Sequence, residues 1–202
     1  MFLYPFLLAG LLVGFLRGGS LRGLADLPLR YGWLVLLGLA IQIVVFGDLL
    51  PAGALPDVLV RAVHVASYLL LLGGLALNLH VGARVLGLGA FSNALVIAAN
   101  GGYMPVLPEA ARAAGVLERL EAAARQEVVT NAALLDERTL LPFLGDVFAI
   151  PAGLPFANAF SIGDVLIGLG ATLLIAQAMG KRANRSAADA RAGAVTCGER
   201  AR

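Results

Sequence analysis

Long apolar stretches alternate with short charged breaks along this chain. The apolar runs cover residues 2–16, 31–46, 58–79, 85–100 and 162–179. A helix needs about 20 apolar residues to cross a bilayer, and about 17 at the practical minimum. The third and fifth runs meet that length. The others reach it with their flanks, where Arg17, Arg30 and Arg84 can snorkel from helix ends into the headgroups. The pattern predicts an all-α, polytopic helical membrane protein with about five transmembrane helices.

Between the fourth and fifth runs lies a helix-and-loop insertion, residues 101–161. Its first part, 108–129, reads as one amphipathic helix. Ala111, Val116, Leu117 and Leu120 fall on an apolar side, and Arg112, Glu118, Arg119 and Arg125 on a charged one. Pro108 suits a first helical turn. Such a helix either covers the end of the bundle or lies flat on the membrane surface. Residues 130–155 carry Pro142, Pro151 and Pro155 among apolar residues, which predicts an ordered, irregular loop against the helix ends. Residues 181–202 form a basic tail, and its Ala, Arg and Ser content from 183 onward predicts disorder.

Composition makes lipid the expected solvent. Of 202 residues, 59% are hydrophobic and 14% charged, where a soluble domain carries about 25% charge. The mean hydropathy is +0.86. A soluble chain of this size still leaves roughly 30% of its unfolded surface to be covered by polar groups, and this one has too few. The net charge is +2, with basic residues dispersed at the ends of apolar runs. No nucleic-acid surface is indicated, and the bilayer is the expected partner. Residues 2–16 lack the basic start and small-residue cleavage site of a signal peptide and read as a retained first span. The single cysteine, Cys197, has no second Cys for a disulfide and no neighbouring His for a metal, so neither metal nor cofactor is expected.

Lys and Arg placement sets the orientation. The first connection holds Arg17, Arg22 and Arg30, the third holds Arg84, and the tail holds Lys181, Arg182, Arg185, Arg191, Arg200 and Arg202. The second connection holds Asp48 and Asp57 and no basic residue. The N-terminus and the 101–161 insertion therefore face outward, and the C-terminus faces the cytoplasm.

Polar residues gather at the outward ends of the apolar runs. Ser161 and Asp164 have the spacing of a capping box, in which each side chain satisfies a backbone N–H of the other residue. A functional carboxylate is the alternative, because an acid near membrane depth is costly without a partner. Asp136 and Asp146 are the other candidate catalytic acids. Asn100, Gly101 and Gly102 read as a helix C-cap and tight turn, with Asn100 able to reach the loop. With Tyr103 and Asn131 they are candidate ligand-binding residues, as are His64 and Arg61 one turn apart in the third run. His64 can bond a neighbouring helix or relay a proton. Arg61 can pair with Asp57 or with a loop carboxylate. Gln42 and Asn78 suit interhelical hydrogen bonds. Nucleotide-binding, zinc-hydrolase and serine-hydrolase motifs are missing, and no internal repeat suggests a transporter.

Three blocks in order carry a resemblance: Asn93-Ala94-Leu95-Val96-Ile97-Ala98-Ala99-Asn100-Gly101-Gly102-Tyr103-Met104-Pro105-Val106, then Phe143-Leu144-Gly145-Asp146, then Phe160-Ser161-Ile162-Gly163-Asp164-Val165-Leu166-Ile167. With Arg17-Gly18-Gly19 and Leu24-Ala25-Asp26, the chain resembles an uncharacterised bacterial membrane family, domain of unknown function 5317, over roughly residues 1–180. The resemblance implies a small multi-pass bacterial membrane protein without an established activity. Residues 160–168 also look like the last-span motif of lipoprotein signal peptidase, a membrane aspartyl protease. That likeness implies a catalytic role for Asp164. The second catalytic segment has its nearest counterpart in Asn131-Ala132-Ala133-Leu134-Leu135-Asp136-Glu137-Arg138, which lacks the family's preceding glycine and has a longer spacing.

The expected function is therefore a non-enzymatic protein of the bacterial inner membrane with an outward-facing polar pocket. The alternatives are a membrane-embedded aspartyl protease or hydrolase using Asp164 with Asp136 or Asp146, and a small-solute or lipid carrier. The orientation is directly testable in a Cys197→Ser background. Single cysteines at Ala52 and Ala123 should react with an impermeant thiol reagent on intact cells, and one at Ala188 should be protected. Labelling at 188 with protection at 123 would invert the topology.

Overall fold

The structure is a computed structural model and describes residues 2–27, 29–46, 55–125 and 130–199. It is mostly helical. Helices α1 (Tyr4–Leu16), α2 (Gly32–Phe46), α3 (Asp57–Ala76), α4 (Val81–Ala99) and α7 (Ile162–Glu199) are apolar over long stretches. The shorter α5 (Pro108–Ala113) and α6 (Leu117–Arg125) lie in the insertion. So do four short strands, β1 (Met104–Val106), β2 (Ala132–Leu134), β3 (Phe148–Ile150) and β4 (Asn158–Phe160). Three helices are long and apolar enough to cross a membrane: α3, α4 and the Ile162–Gly180 part of α7. The apolar α1 and α2 are shorter, at 13 and 15 residues. Leu77 caps α3 and His80 precedes α4, so the third and fourth apolar runs are separate helices.

Helix α3 packs on α2 and α4, and α7 packs on α4 and α1. The spatial order is thus α2, α3, α4, α7, α1. Small residues make the closest of these contacts. A β-carbon on Gly89 of α4 would lie 2.7 Å from the backbone nitrogen of Ile167, and one on Gly82 would lie 2.7 Å from that of Leu174. A β-carbon on Gly10 of α1 would lie 3.1 Å from the Thr172 carbonyl oxygen. Close backbone approach and interhelical hydrogen bonds join these helices. The Thr172 hydroxyl donates to the Phe6 carbonyl at 2.8 Å. Gln42 Nε2 donates to Ser67 Oγ at 2.9 Å and joins α2 to α3.

The insertion departs from the predicted irregular loop and from an all-α fold. Strands β1 and β2 pair in parallel, Met104 opposite Ala132 and Val106 opposite Leu134. Strands β3 and β4 pair antiparallel, Phe148 opposite Phe160. The amphipathic helix predicted over 108–129 is two helices, and residues 126–129 of that expectation lie outside the described residues. Gly115 separates α5 from α6 at φ +74°, a left-handed conformation that favours glycine. Gly115 N donates to Arg112 O and Val116 N to Ala111 O, which closes α5 with a Schellman motif. Leu117 and Leu120 pack on a small core of Val106, Ala110, Ala111, Ala114 and Ala159. The apolar side of α6 is thus spent inside the insertion rather than on a membrane surface. Helix α7 continues to Glu199 where the sequence predicts a disordered tail. Alanine-rich sequence has high helix propensity, which favours continuation of an existing helix.

Two glycines separate close approach from helix propensity. A β-carbon on Gly73 meets nothing within 4 Å, whereas one on Gly89 collides with α7. Gly73→Ala should leave the thermal midpoint in detergent unchanged or raise it, in line with a gain of up to about 1 kcal/mol in an exposed helix. Gly89→Ala should lower the midpoint by several degrees or abolish folded protein. Equal behaviour of the two variants would refute the close contact of α4 with α7.

Candidate functional site

The C-terminal end of α4, the start of α7 and the base of the insertion meet in one polar cluster. Its centre is Asp164. Ser161 Oγ accepts from Asp164 N at 3.0 Å, and Asp164 Oδ2 accepts from Ser161 N at 3.0 Å. This is the capping box expected from the spacing, with Asp in the place usually held by Glu. The carboxylate also sits at the positive end of the α7 dipole. Its second oxygen, Oδ1, accepts from Asn93 Nδ2 at 2.8 Å, and Asn93 Oδ1 accepts from Ser161 Oγ at 3.0 Å. Asn93 is 2% exposed and Ser161 is fully buried. The three residues, through their side chains and the backbone N–H groups of Ser161 and Asp164, form a closed ring that ties α4 to α7. Gly163 permits it, because a β-carbon there would run into the Asn93 side chain.

Asp146 approaches the same cluster from the insertion. Its backbone is fixed on the free side of β1: Asp146 N donates to Pro105 O at 2.8 Å, and Leu107 N donates to Asp146 O at 3.1 Å. Its Oδ1 is buried and has no hydrogen-bond partner. Burial, and then the charge of Asp164, push its carboxyl from the ordinary 3.8 up to about 8. The Tyr68 hydroxyl reaches Asn93 and lies within electrostatic range of both Asp164 and Asp146. The cluster therefore brings together a committed carboxylate, a carboxyl held neutral at pH 7, a phenol and an amide.

The other predicted residues fall into two groups beside it. Asn100 Nδ2 donates to Val96 O at 2.7 Å and to Leu140 O at 2.8 Å, and its Oδ1 accepts from Leu140 N at 2.8 Å. Gly101 and Gly102 take φ +68° and +98° and end α4, with Gly102 N donating to Ile97 O at 2.8 Å. The Gly102 carbonyl accepts from His64 Nδ1 at 2.8 Å. A carbonyl only accepts, so that ring nitrogen carries the proton. Arg61 lies over the Tyr103 ring at 4.5 Å and reaches Asp57 at 3.9 Å. Asn131 enters through its backbone, accepting from Met104 N at 2.8 Å.

Asp136 is not brought to Asp164. It sits in an exposed turn of its own, where Oδ1 accepts from Arg138 N at 2.9 Å and from Thr139 Oγ1 at 3.0 Å. Short side-chain-to-backbone bonds of this kind are local and need no tertiary partner. Of the two acids considered for a pair, Asp146 is the one within electrostatic range of Asp164. Asn93 and Tyr68 are the members that reading for acids and histidines passed over. Asn93 carried a signal, since a polar side chain within an apolar run requires a hydrogen-bond partner. Among the described residues, no group of three His, Cys, Asp or Glu side chains could hold a metal ion.

Fold and site together define a mostly helical protein with three helices of membrane-spanning length and a small mixed insertion locked to their ends. The chain belongs to the family described as Family of unknown function (DUF5317), which matches residues 26–176. That agrees with the resemblance carried by the three sequence blocks. Comparison with curated proteins and with solved structures gives no match.

The raised carboxyl has a definite consequence for stability. Asp146 binds its proton more tightly folded than unfolded, so its contribution is fully present below about pH 4 and is lost as pH rises through about 8. The parent in detergent should lose thermal stability across that interval through this group. Asp146→Asn should flatten the profile and match or exceed the parent above pH 8. An unchanged profile would mean that Asp146 ionises normally.

Proposed function

We propose that this chain is a non-enzymatic integral protein of the bacterial cytoplasmic membrane, whose extracytoplasmic insertion is a recognition module held rigidly on the helix ends. The observation that carries the reading is the bonding of Asp164 through both of its oxygens. One oxygen holds Asn93 and the other holds the Ser161 N–H. A carboxylate bonded through both oxygens to groups on two helices is suited to positioning α7 and the insertion. Five spans are part of the proposal. Although α1 and α2 are short, their outward surfaces are apolar: Leu12 is 60% exposed and Leu36 68%. Lipid is the environment in which such surfaces are stable. The placement of Lys and Arg supports an outside N-terminus and insertion with a cytoplasmic C-terminus.

A second reading has its own support. Asp146 with an orphaned buried oxygen beside Asp164 resembles the shared-proton arrangement of an aspartyl hydrolase, in which one acid is neutral and the other ionised. It would act on a membrane-anchored peptide.

One set of variants separates the two. In the first reading, the purified parent in lipid discs cleaves no lipid-modified peptide and binds no aspartyl-protease transition-state mimic. Asp164→Leu then frees the insertion, read as a rise of at least tenfold in its cleavage rate by added protease, while Asp164→Asn changes it less. Turnover by the parent that is lost in both Asp146→Asn and Asp164→Asn would establish the hydrolase instead. An insertion that stays equally resistant in Asp164→Leu would remove the positioning role.

A further inference from the structure

The β3–β4 hairpin has its faces the wrong way round for a protein surface in water. Successive residues of a strand point to opposite faces. On one face Ala149 and Ala159 pack into the small core of the insertion. On the other, Phe148 lies beside Phe160 at 5.6 Å, and Phe160 stacks on Phe2 before α1 at 4.4 Å. Tyr4 of α1 meets Phe156, in the loop of the hairpin, at 6.0 Å. An antiparallel pair with one face solvated carries polar side chains there. Here the outer face holds Phe148, Ile150 and Phe160 with one polar member, Asn158, at its loop end, and Phe148 is 48% and Phe156 41% exposed. Residues 147–163 contain no charged side chain at all.

Part of the hairpin's backbone is satisfied within the chain, which lowers the cost of contact with lipid. The β3–β4 pairing takes up the facing edges of the two strands. Within the loop, Ala152 N donates to Ala113 O at 2.7 Å and Leu154 N to Pro151 O at 3.1 Å. Pro151 and Pro155 have no N–H to satisfy. Through Phe2 and Tyr4 the aromatic face continues into the exposed leucine surface of α1.

We propose that this hairpin dips into the bilayer, its Phe148 and Phe156 face lying against the acyl chains of the leaflet on the insertion side. The occupant of the face is lipid, because through Phe160 and Phe2 its aromatic part extends the apolar surface of α1. The inference rests on the chain being membrane-inserted, and its test distinguishes failure of the two.

The chain has a single tryptophan, Trp33, so Trp33→Phe provides a silent background. Into it go Phe148→Trp on the hairpin, Phe91→Trp on the exposed side of α4, and Glu118→Trp on the exposed side of α6. Each full-length protein is reconstituted in phosphatidylcholine vesicles with acyl chains brominated near the headgroup, and separately exposed to aqueous iodide. The expected result is loss of Phe148→Trp emission with brominated lipid and none with iodide, and the reverse for Glu118→Trp. Phe156→Trp, expected to behave like Phe148→Trp, serves if that variant does not fold. Quenching at position 91 with iodide quenching at 148 would overturn the hairpin's immersion while leaving the membrane reading intact. Position 148 shielded from both quenchers would overturn it too, because the face would then be covered by protein. Iodide quenching at both 91 and 148 would remove the membrane reading itself.

Discussion

A polar side chain inside a layer of apolar helices must find its partners within the chain, because apolar surroundings supply none. The hydrogen bond between Asn93 and Asp164 is where this constraint acts hardest. It joins side chains 71 positions apart in sequence, on helices that enclose the whole insertion between them. Without Asn93 the Asp164 carboxylate would be a local helix cap. With it, the cap becomes a fixed point between α4 and α7, and the chain segments leaving both helices start from one place. The glycines serve the same bond. Side chains at 89 or 163 would push the helices apart and carry the amide out of reach of the carboxylate.

Two further asparagines use the same physics in a different way. Asn78 donates to the Arg30 carbonyl at 2.9 Å and accepts from the Arg30 N–H at 2.8 Å. Asn100 treats Leu140 identically, donating at 2.8 Å and accepting at 2.8 Å. A primary amide offers the same donor and acceptor as a peptide group, so each side chain pairs with one residue of distant backbone as a strand would. Asn78 secures the chain before α2, and Asn100 secures the loop before Asp146. Leu141, next to that clamp, is held at φ +53°, a conformation that costs a branched or bulky residue about 1 kcal/mol or more. The clamp on Leu140 and the burial of Leu141 against Val96, Ile97 and Met104 offset that cost.

These attachments give the insertion its character. It is a small unit with a core of alanines and one valine, tied at its entry by the end of α4 and at its exit by the capping box of α7. Asp146 is delivered to the cluster by pairing with β1, not by any helix. That is why its carboxyl is drawn out of solvent within electrostatic range of a second acid and holds its proton more tightly than an ordinary aspartate, while Asp136, ten residues earlier in sequence, remains in solvent. Whether such a carboxyl serves attachment or chemistry turns on access to it and on the freedom of Asp164, and the bonds at Asp164 favour attachment.

The apolar runs by themselves determined the helices, since a stretch without charge can only be stable in lipid or in a core, and its length sets what it can span. The spacing of Ser161 and Asp164 determined the capping box, and Asn100-Gly101-Gly102 determined the end of α4, because both depend on bonds within a few residues. Only the tertiary structure brings one acid of the insertion within electrostatic range of Asp164. Asp136 and Asp146 are alike in sequence, and a parallel bridge to Val106 separates them. Residues 108–129 contain Gly115, but the periodicity around it continues, so the break in the helix became visible only in the backbone. Asn93 and Tyr68 acquire their meaning from neighbours on other helices. Local spacing records bonds that close within a turn or two. The joint at Asp164 closes across 71 residues, and no local pattern carries that distance.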